Sequence, residues 1–208
     1  MIAIIGADGS MGQRYQAILR HLRVDYRCFD VEHSMDDIKA ACEDARGIII
    51  ATPTYTHITF LREILPLRKM VLCEKPVSYE IEALREFTSW CSGNGYSFTV
   101  MMQYGELVSY RSVGDSFYDY FRHGPDGLIW DCFQVIVLAN GTIRLAEQSP
   151  FWDCCINGTR MLLSDMDGAY VRFVHKWLSG SIHHSPSMIL NWHEKVDCFA
   201  KEFYGRED

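Results

Sequence analysis

The chain has 208 residues, 48% hydrophobic and 23% charged, the balance of an ordinary globular protein. Its formal net charge of −7, with acidic and basic residues interspersed, argues against a nucleic-acid partner, which demands a clustered basic face. No basic block suited to anionic lipid occurs, and the longest apolar runs, such as 132–139, fall far short of the roughly 20 residues a membrane helix needs.

The N-terminus, MIAIIGADGSMG, lacks a charged start and its apolar run stops at Asp8, so it does not read as a signal peptide. The expectation is a cytoplasmic protein with reduced cysteines. Cys28, Cys73 and Cys132 sit in apolar runs with strand character, where a thiol packs as a small hydrophobe. Only Cys154 and Cys155 are vicinal, and no C-x-x-C pair exists. The sequons at Asn140 and Asn157 read as chance.

In chain order, strands are expected at 2–5, 24–29, 47–51, 70–73 and 96–102. Helices are expected at 13–22, 34–44, 56–65 and 80–91, the second capped by Ser34 and the third ended by Pro66. Alternation with such short connections specifies a parallel sheet covered by helices on both faces. Beyond Gly105 the character changes, and two strands, 128–139 and 142–146, are expected to turn at Asn140-Gly141. Helices at 167–178 and 191–204 follow. The fold class is α/β: a Rossmann doubly wound parallel sheet over residues 1–104, then a small, shortened α+β domain over 105–208.

A parallel sheet binds ligands at the carboxyl ends of its strands, and the chemistry-bearing motifs fall there. Gly6, Gly9 and Gly12 form G-x-x-G-x-x-G between a strand and a helix, with Asp8, Ser10 and Met11 in between. Glycines there permit a tight turn and close approach of a pyrophosphate to the helix N-terminus. Asp30 ends the second strand, where a carboxylate accepts from adenosine ribose hydroxyls and repels a 2′-phosphate. Val31 follows where an NADP-binder often offers Arg, so NAD is expected over NADP. The third strand ends in Thr52-Pro53 and reaches His57; the fourth ends in Glu74-Lys75-Pro76. A lysine beside the cofactor can polarise a carbonyl or hold an alkoxide.

This order of motifs resembles the glucose–fructose oxidoreductase and inositol dehydrogenase family, Gfo/Idh/MocA, over roughly residues 1–104. The resemblance implies NAD(P)-dependent hydride transfer on sugars, polyols or related small carbonyl compounds. It also implies that Thr52, Pro53 and His57 line the cofactor site and that Glu74 lies near the nicotinamide. Lys75 would contact the nicotinamide ribose and the substrate oxygen.

The second half matches the family less closely. Members carry a segment resembling D-x-G-x-H-x-x-D-x-x-x-W-x-x-G, whose His is the acid–base residue. Residues 166–180 match it at Gly168, Trp177 and Gly180, with Tyr170 at the His position, Phe173 at the Asp position and Asp167 offset by one. Tyr170 is the candidate proton donor and Asp167 a further catalytic candidate, although an ordinary tyrosine pKa near 10 requires help from Lys75 or the cofactor. A Tyr on an amphipathic helix also serves as packing. The chain is short for the family's large open sheet, so self-association would use another surface. His183-His184 resembles the paired histidines of dihydrodipicolinate reductase, but that family's lysine and glycine-rich loop are missing. His193, Asp197 and Cys198 make no complete ligand set, so no metal is expected. Tyr118, Tyr120, Phe121 and Trp130 read as core or substrate wall. The leading expectation is an oxidoreductase with a small-molecule substrate. Its rival is a non-catalytic NAD-binding sensor, motivated by the missing His and Asp.

Overall fold

The structure is a computed structural model and describes residues 1–108, 114–120, 127–147 and 152–205. The chain folds into two units, Met1–Met101 with Val174–Leu190, and Met102–Phe173 with Asn191–Asp208.

In the first unit, strands β1 (Ile2–Ile5), β2 (Tyr26–Phe29), β3 (Gly47–Ile50), β4 (Met70–Cys73) and β5 (Thr99–Val100) form one parallel sheet in the order β2-β1-β3-β4-β5. All residues of β1 and β3 are buried, as expected of central strands covered on both faces. Helices α1 (Ser10–His21), α2 (Met35–Glu43), α3 (His57–Ile64) and α4 (Ile81–Asn94) make the crossovers. Ser34 caps α2 by accepting from the Asp37 amide at 3.2 Å. From β1 the chain winds to β2 on one side and then to β3 on the other. The carboxyl ends of β1 and β3 therefore diverge at a topological switch point, the place where such sheets bind ligands.

The edge strand β5 is covered by chain from the other end of the sequence. Phe98 pairs with His184 in an antiparallel bridge. The Thr99 hydroxyl donates to the Ile182 carbonyl at 3.2 Å and the Val100 amide donates to His184 Nδ1 at 3.1 Å. Trp177, fully buried, packs on Gly47, where a Cβ would come within 3.0 Å of the indole.

The second unit contains a four-stranded mixed sheet in the order β7-β6-β8-β9, from β6 (Ser116–Tyr120), β7 (Ile143–Glu147), β8 (Asp153–Ile156) and β9 (Thr159–Met161). Here the expected hairpin at Asn140-Gly141 is corrected. Residues 128–139 are not a strand but two short helices, α5 (Gly127–Asp131) and α6 (Phe133–Leu138), and β7 pairs in parallel with β6. The hairpin forms instead at a later Asn-Gly, where Ile156 pairs with Thr159 around Asn157 and Gly158, both at positive φ. Asn157 selects this arrangement: its side-chain oxygen accepts from the Asn140 amide at 2.7 Å, and its amide group donates to the Leu138 carbonyl at 3.0 Å.

Helices α7 (Leu163–Leu178) and α8 (Pro186–Tyr204) begin four and five residues before their sequence-based starts. Among the described residues no helix is long and apolar enough to cross a membrane. All eight cysteines are free thiols. Cys28, expected to be packed, is exposed because β2 is the sheet edge, and Cys132 precedes α6 instead of lying in a strand. Tyr118 is buried in β6, Trp130 is half-buried in α5, and Phe121 lies outside the described residues.

Candidate functional site

A cleft of about 520 Å³ opens at the switch point, lined by Gly6 and Gly9 from the glycine loop, Asp30 from the end of β2, and Thr52 and Pro53 from the end of β3. The loop's shape follows from its glycines. Gly6 has φ +83°, and a Cβ there would lie 2.7 Å from the Ala51 carbonyl carbon and the Thr52 nitrogen. A Cβ on Gly12 would collide with the Gly6 oxygen, so α1 packs on the loop only through glycine. Gly9 differs. Its Cβ would meet only the Gly6 oxygen, at 3.6 Å, so the missing side chain leaves open space on the cleft wall and not a packing contact.

Two glutamines hold the loop's carbonyls. Gln16 donates to the Ala7 oxygen at 2.9 Å and Gln13 to the Asp8 oxygen at 2.8 Å. Helix α1 starts with Gly9 as its N-cap, without a side-chain cap and with no acidic residue in its first turn, which contains Ser10, Met11 and Gly12. Its amide groups and dipole are thus available to an anion. This loop fits a dinucleotide's pyrophosphate.

Asp30 is half-buried. One carboxylate oxygen accepts from the Asp8 amide at 2.7 Å and the other from the Val31 amide at 2.9 Å. Each oxygen retains acceptor capacity for a ribose hydroxyl. The carboxylates of Asp8, Asp30 and Glu32 lie with oxygens within 4.8 Å of one another. Three negative charges there oppose a 2′-phosphate. Val31 (96% exposed) and Tyr55 (81% exposed) also line the cleft as apolar walls.

Just past the end of β4, Glu74 is buried and its amide donates to the Ile50 carbonyl at 2.9 Å. Burial pushes its carboxyl above the ordinary value, opposed by the Tyr15 phenol, which donates to it at 2.5 Å, and by the Lys75 charge. The Lys75 amide donates to the other carboxylate oxygen at 3.2 Å, and the Lys75 side chain is half-buried. His57, the first residue of α3, places Nδ1 2.9 Å from the Pro76 oxygen and Nε2 2.7 Å from the Thr52 oxygen. The first unit therefore gathers all the cofactor-binding candidates: loop, Asp30, Thr52-Pro53-His57 and Glu74-Lys75.

Tyr170 and Asp167 lie in the second unit on α7, Tyr170 buried and Asp167 exposed. Burial raises the Tyr104 phenol well above its ordinary value, and the phenols of Tyr118 and Tyr170 and the thiols of Cys154 and Cys132 act in the same direction. Tyr170 thus belongs to a buried group of phenols and thiols. His193 is buried against Phe133, ring centroids 4.8 Å apart, while Asp197 pairs with Lys201. Tyr15, Gln13, Gln16 and Tyr55 escaped the sequence reading. Tyr15 follows Gly12 by three positions on the buried face of α1, a signal available from helical spacing.

A second cleft, of about 460 Å³, lies at the amino ends of β3 and β4 and carries Arg46, Arg68 and Lys69. Its arginines serve as helix caps, donating to the Leu178 oxygen at 3.2 Å and the Asn94 oxygen at 3.4 Å.

Residues 20–102 match the GFO_IDH_MocA family, an oxidoreductase family with an NAD-binding Rossmann fold. No curated protein matches the chain. Solved structures match it widely at low identity, and that likeness shows the fold. A WlbA (WbpB) dehydrogenase from Thermus thermophilus, crystallised with NAD and UDP-GlcNAcA, aligns with a TM-score of 0.70 at 13% identity, over 94% of this chain and 92% of that one. A myo-inositol dehydrogenase from Corynebacterium glutamicum aligns with a TM-score of 0.72 at 15% identity, over 94% of each chain.

Proposed function

We propose that this chain, whose residues 20–102 match the Gfo/Idh/MocA oxidoreductase family, is an NAD-dependent enzyme that transfers a hydride to or from a small carbonyl compound or secondary alcohol. The observation that carries the reading is the convergence of the glycine loop, Asp30 and the Glu74-Lys75 turn on the carboxyl ends of one parallel sheet. Sugars and polyols are the substrate class that the family resemblance suggests.

In this reading the α1 amides and the glycine loop bind the pyrophosphate, and Asp30 orients the adenosine ribose. NAD supplies the carbon that gains or loses the hydride. Lys75 holds the substrate oxygen and stabilises its negative charge as the C–H bond is made or broken. Glu74, fixed by Tyr15, orients the Lys75 backbone. Tyr170 and Asp167, in the second unit, are the candidates for proton transfer that the family resemblance suggests. Oxidation of an alcohol would release the hydroxyl proton and pass the hydride from carbon to bound NAD, leaving a carbonyl.

A screen of sugars and polyols with NAD, wild type beside Lys75→Ala, tests this. The expected result is a loss of turnover of roughly a hundredfold or more with little change in NADH affinity. Equal turnover removes Lys75 from the chemistry. NADH binding with no turnover of any substrate supports the sensor instead.

A further inference from the structure

We propose that His57 is a doubly donating imidazolium that locks the Thr52 turn to the Lys75-Pro76 turn, making it a positioning residue for the cofactor cleft. Its consequence for cofactor binding rests on the oxidoreductase reading; its charge state does not.

The ring is 1% exposed, and both of its nitrogens face carbonyl oxygens, Pro76 at 2.9 Å and Thr52 at 2.7 Å. A carbonyl oxygen has no proton to give, so each contact requires an N–H from the ring. A neutral imidazole has one N–H, and would turn a lone pair toward the second oxygen. The imidazolium has two and satisfies both. Burial opposes the charge, while two charge-assisted hydrogen bonds favour it.

The surrounding segments permit a cation. The β3–α3 turn brings the neutral residues Thr52, Pro53, Thr54 and Thr56 and the exposed phenol of Tyr55. The β4–α4 turn brings Glu74, Lys75, Tyr79 and Glu80, of which Glu74 is the buried acid. Helix α1 contributes Tyr15 and Arg14, both acting on Glu74, and α3 itself carries Arg62 and Glu63 one to two turns on.

The lock joins the two functional ends of the unit. The Thr52 nitrogen lies where a Gly6 Cβ would clash, so its placement bears on the glycine loop. Pro76 directly follows Lys75 in the chain. Movement of the ring would therefore be felt at both the pyrophosphate loop and the lysine.

The test is a long-range ¹H–¹⁵N spectrum of uniformly labelled, cofactor-free wild type at about pH 7.5, where an ordinary imidazole is neutral. The His57 signals are assigned by their loss in His57→Gln. Two protonated ring nitrogens are expected; one protonated and one bare nitrogen overturns the proposal. In parallel, NADH titration of His57→Phe is expected to show about tenfold weaker binding, the scale of a lost hydrogen bond to a charged group. Unchanged affinity overturns the positioning role. The wild-type spectrum needs no cofactor, and His57→Gln serves only to assign its signals. Failure of wild type to bind NADH would count against the oxidoreductase reading, while the spectrum still decides the charge of His57.

Discussion

Tyr15 and Glu74 are 59 residues apart in sequence, yet one phenolic proton decides whether a buried carboxylate is tolerated under the cofactor cleft. Burial raises the Glu74 pKa, so folding makes its anion costlier than that of an exposed carboxylate, and the Tyr15 hydrogen bond offsets part of that cost. Tyr15→Phe removes the donor and keeps the ring. We expect stability at pH 7 to fall by about 1–3 kcal/mol in urea denaturation, with the loss shrinking as pH drops and Glu74 is neutralised. An equal loss at both pH values would mean that the phenol acts by packing alone. At the same scale, Gly12→Ala should abolish NADH binding, because the added methyl collides with the Gly6 oxygen.

Among elements, the central strands β1, β3 and β4 were legible in the sequence because buried parallel strands read as short uninterrupted apolar runs. The motifs at their carboxyl ends were legible because their chemistry is local: glycines at a turn, an acid at a strand end. The region 128–139 was not. A twelve-residue apolar stretch satisfies both a buried strand and a buried helix, and its length already favoured the helix. Nor could local pattern choose between Asn140-Gly141 and Asn157-Gly158. The choice is made by Asn157, whose side chain ties residues 138 and 140 from 17 or more positions away. Asn157→Ala should therefore cost roughly 2 kcal/mol or more in chemical denaturation, from two lost hydrogen bonds and a left-handed φ of 52°. Asn140→Ala, exposed, should cost less than about 0.5 kcal/mol. Reversed magnitudes would restore the hairpin at Asn140.

The strap over β5 was also hidden, since it depends on a histidine 84 residues from its partner. Burial, and secondarily the neighbouring His183 charge, lowers the His184 pKa from 6.5 to about 4. The folded state thus excludes a proton that the unfolded chain accepts. Its stabilising contribution is complete above about pH 6.5 and is lost as pH falls toward 4, by roughly 3 kcal/mol. His184→Gln should flatten the acid limb of the stability–pH curve between those values; an unchanged limb would show that His184 does not titrate there.

At the scale of the whole molecule, the first unit carries all the candidate nucleotide-binding residues, and the second, with its small mixed sheet, carries Tyr170 and Asp167. Cofactor binding rests on geometry within one unit, whereas proton transfer rests on residues carried over from a resemblance. The most direct test is therefore at the cleft: fluorescence titration of wild type and Asp30→Ala with NADH and NADPH. The expected result is that NADH binds, that NADPH binds more weakly against the Asp8, Asp30 and Glu32 carboxylates, and that Asp30→Ala weakens NADH by about tenfold while narrowing the preference. Binding of neither nucleotide at about 1 mM, or an NADH affinity indifferent to Asp30, would contradict it.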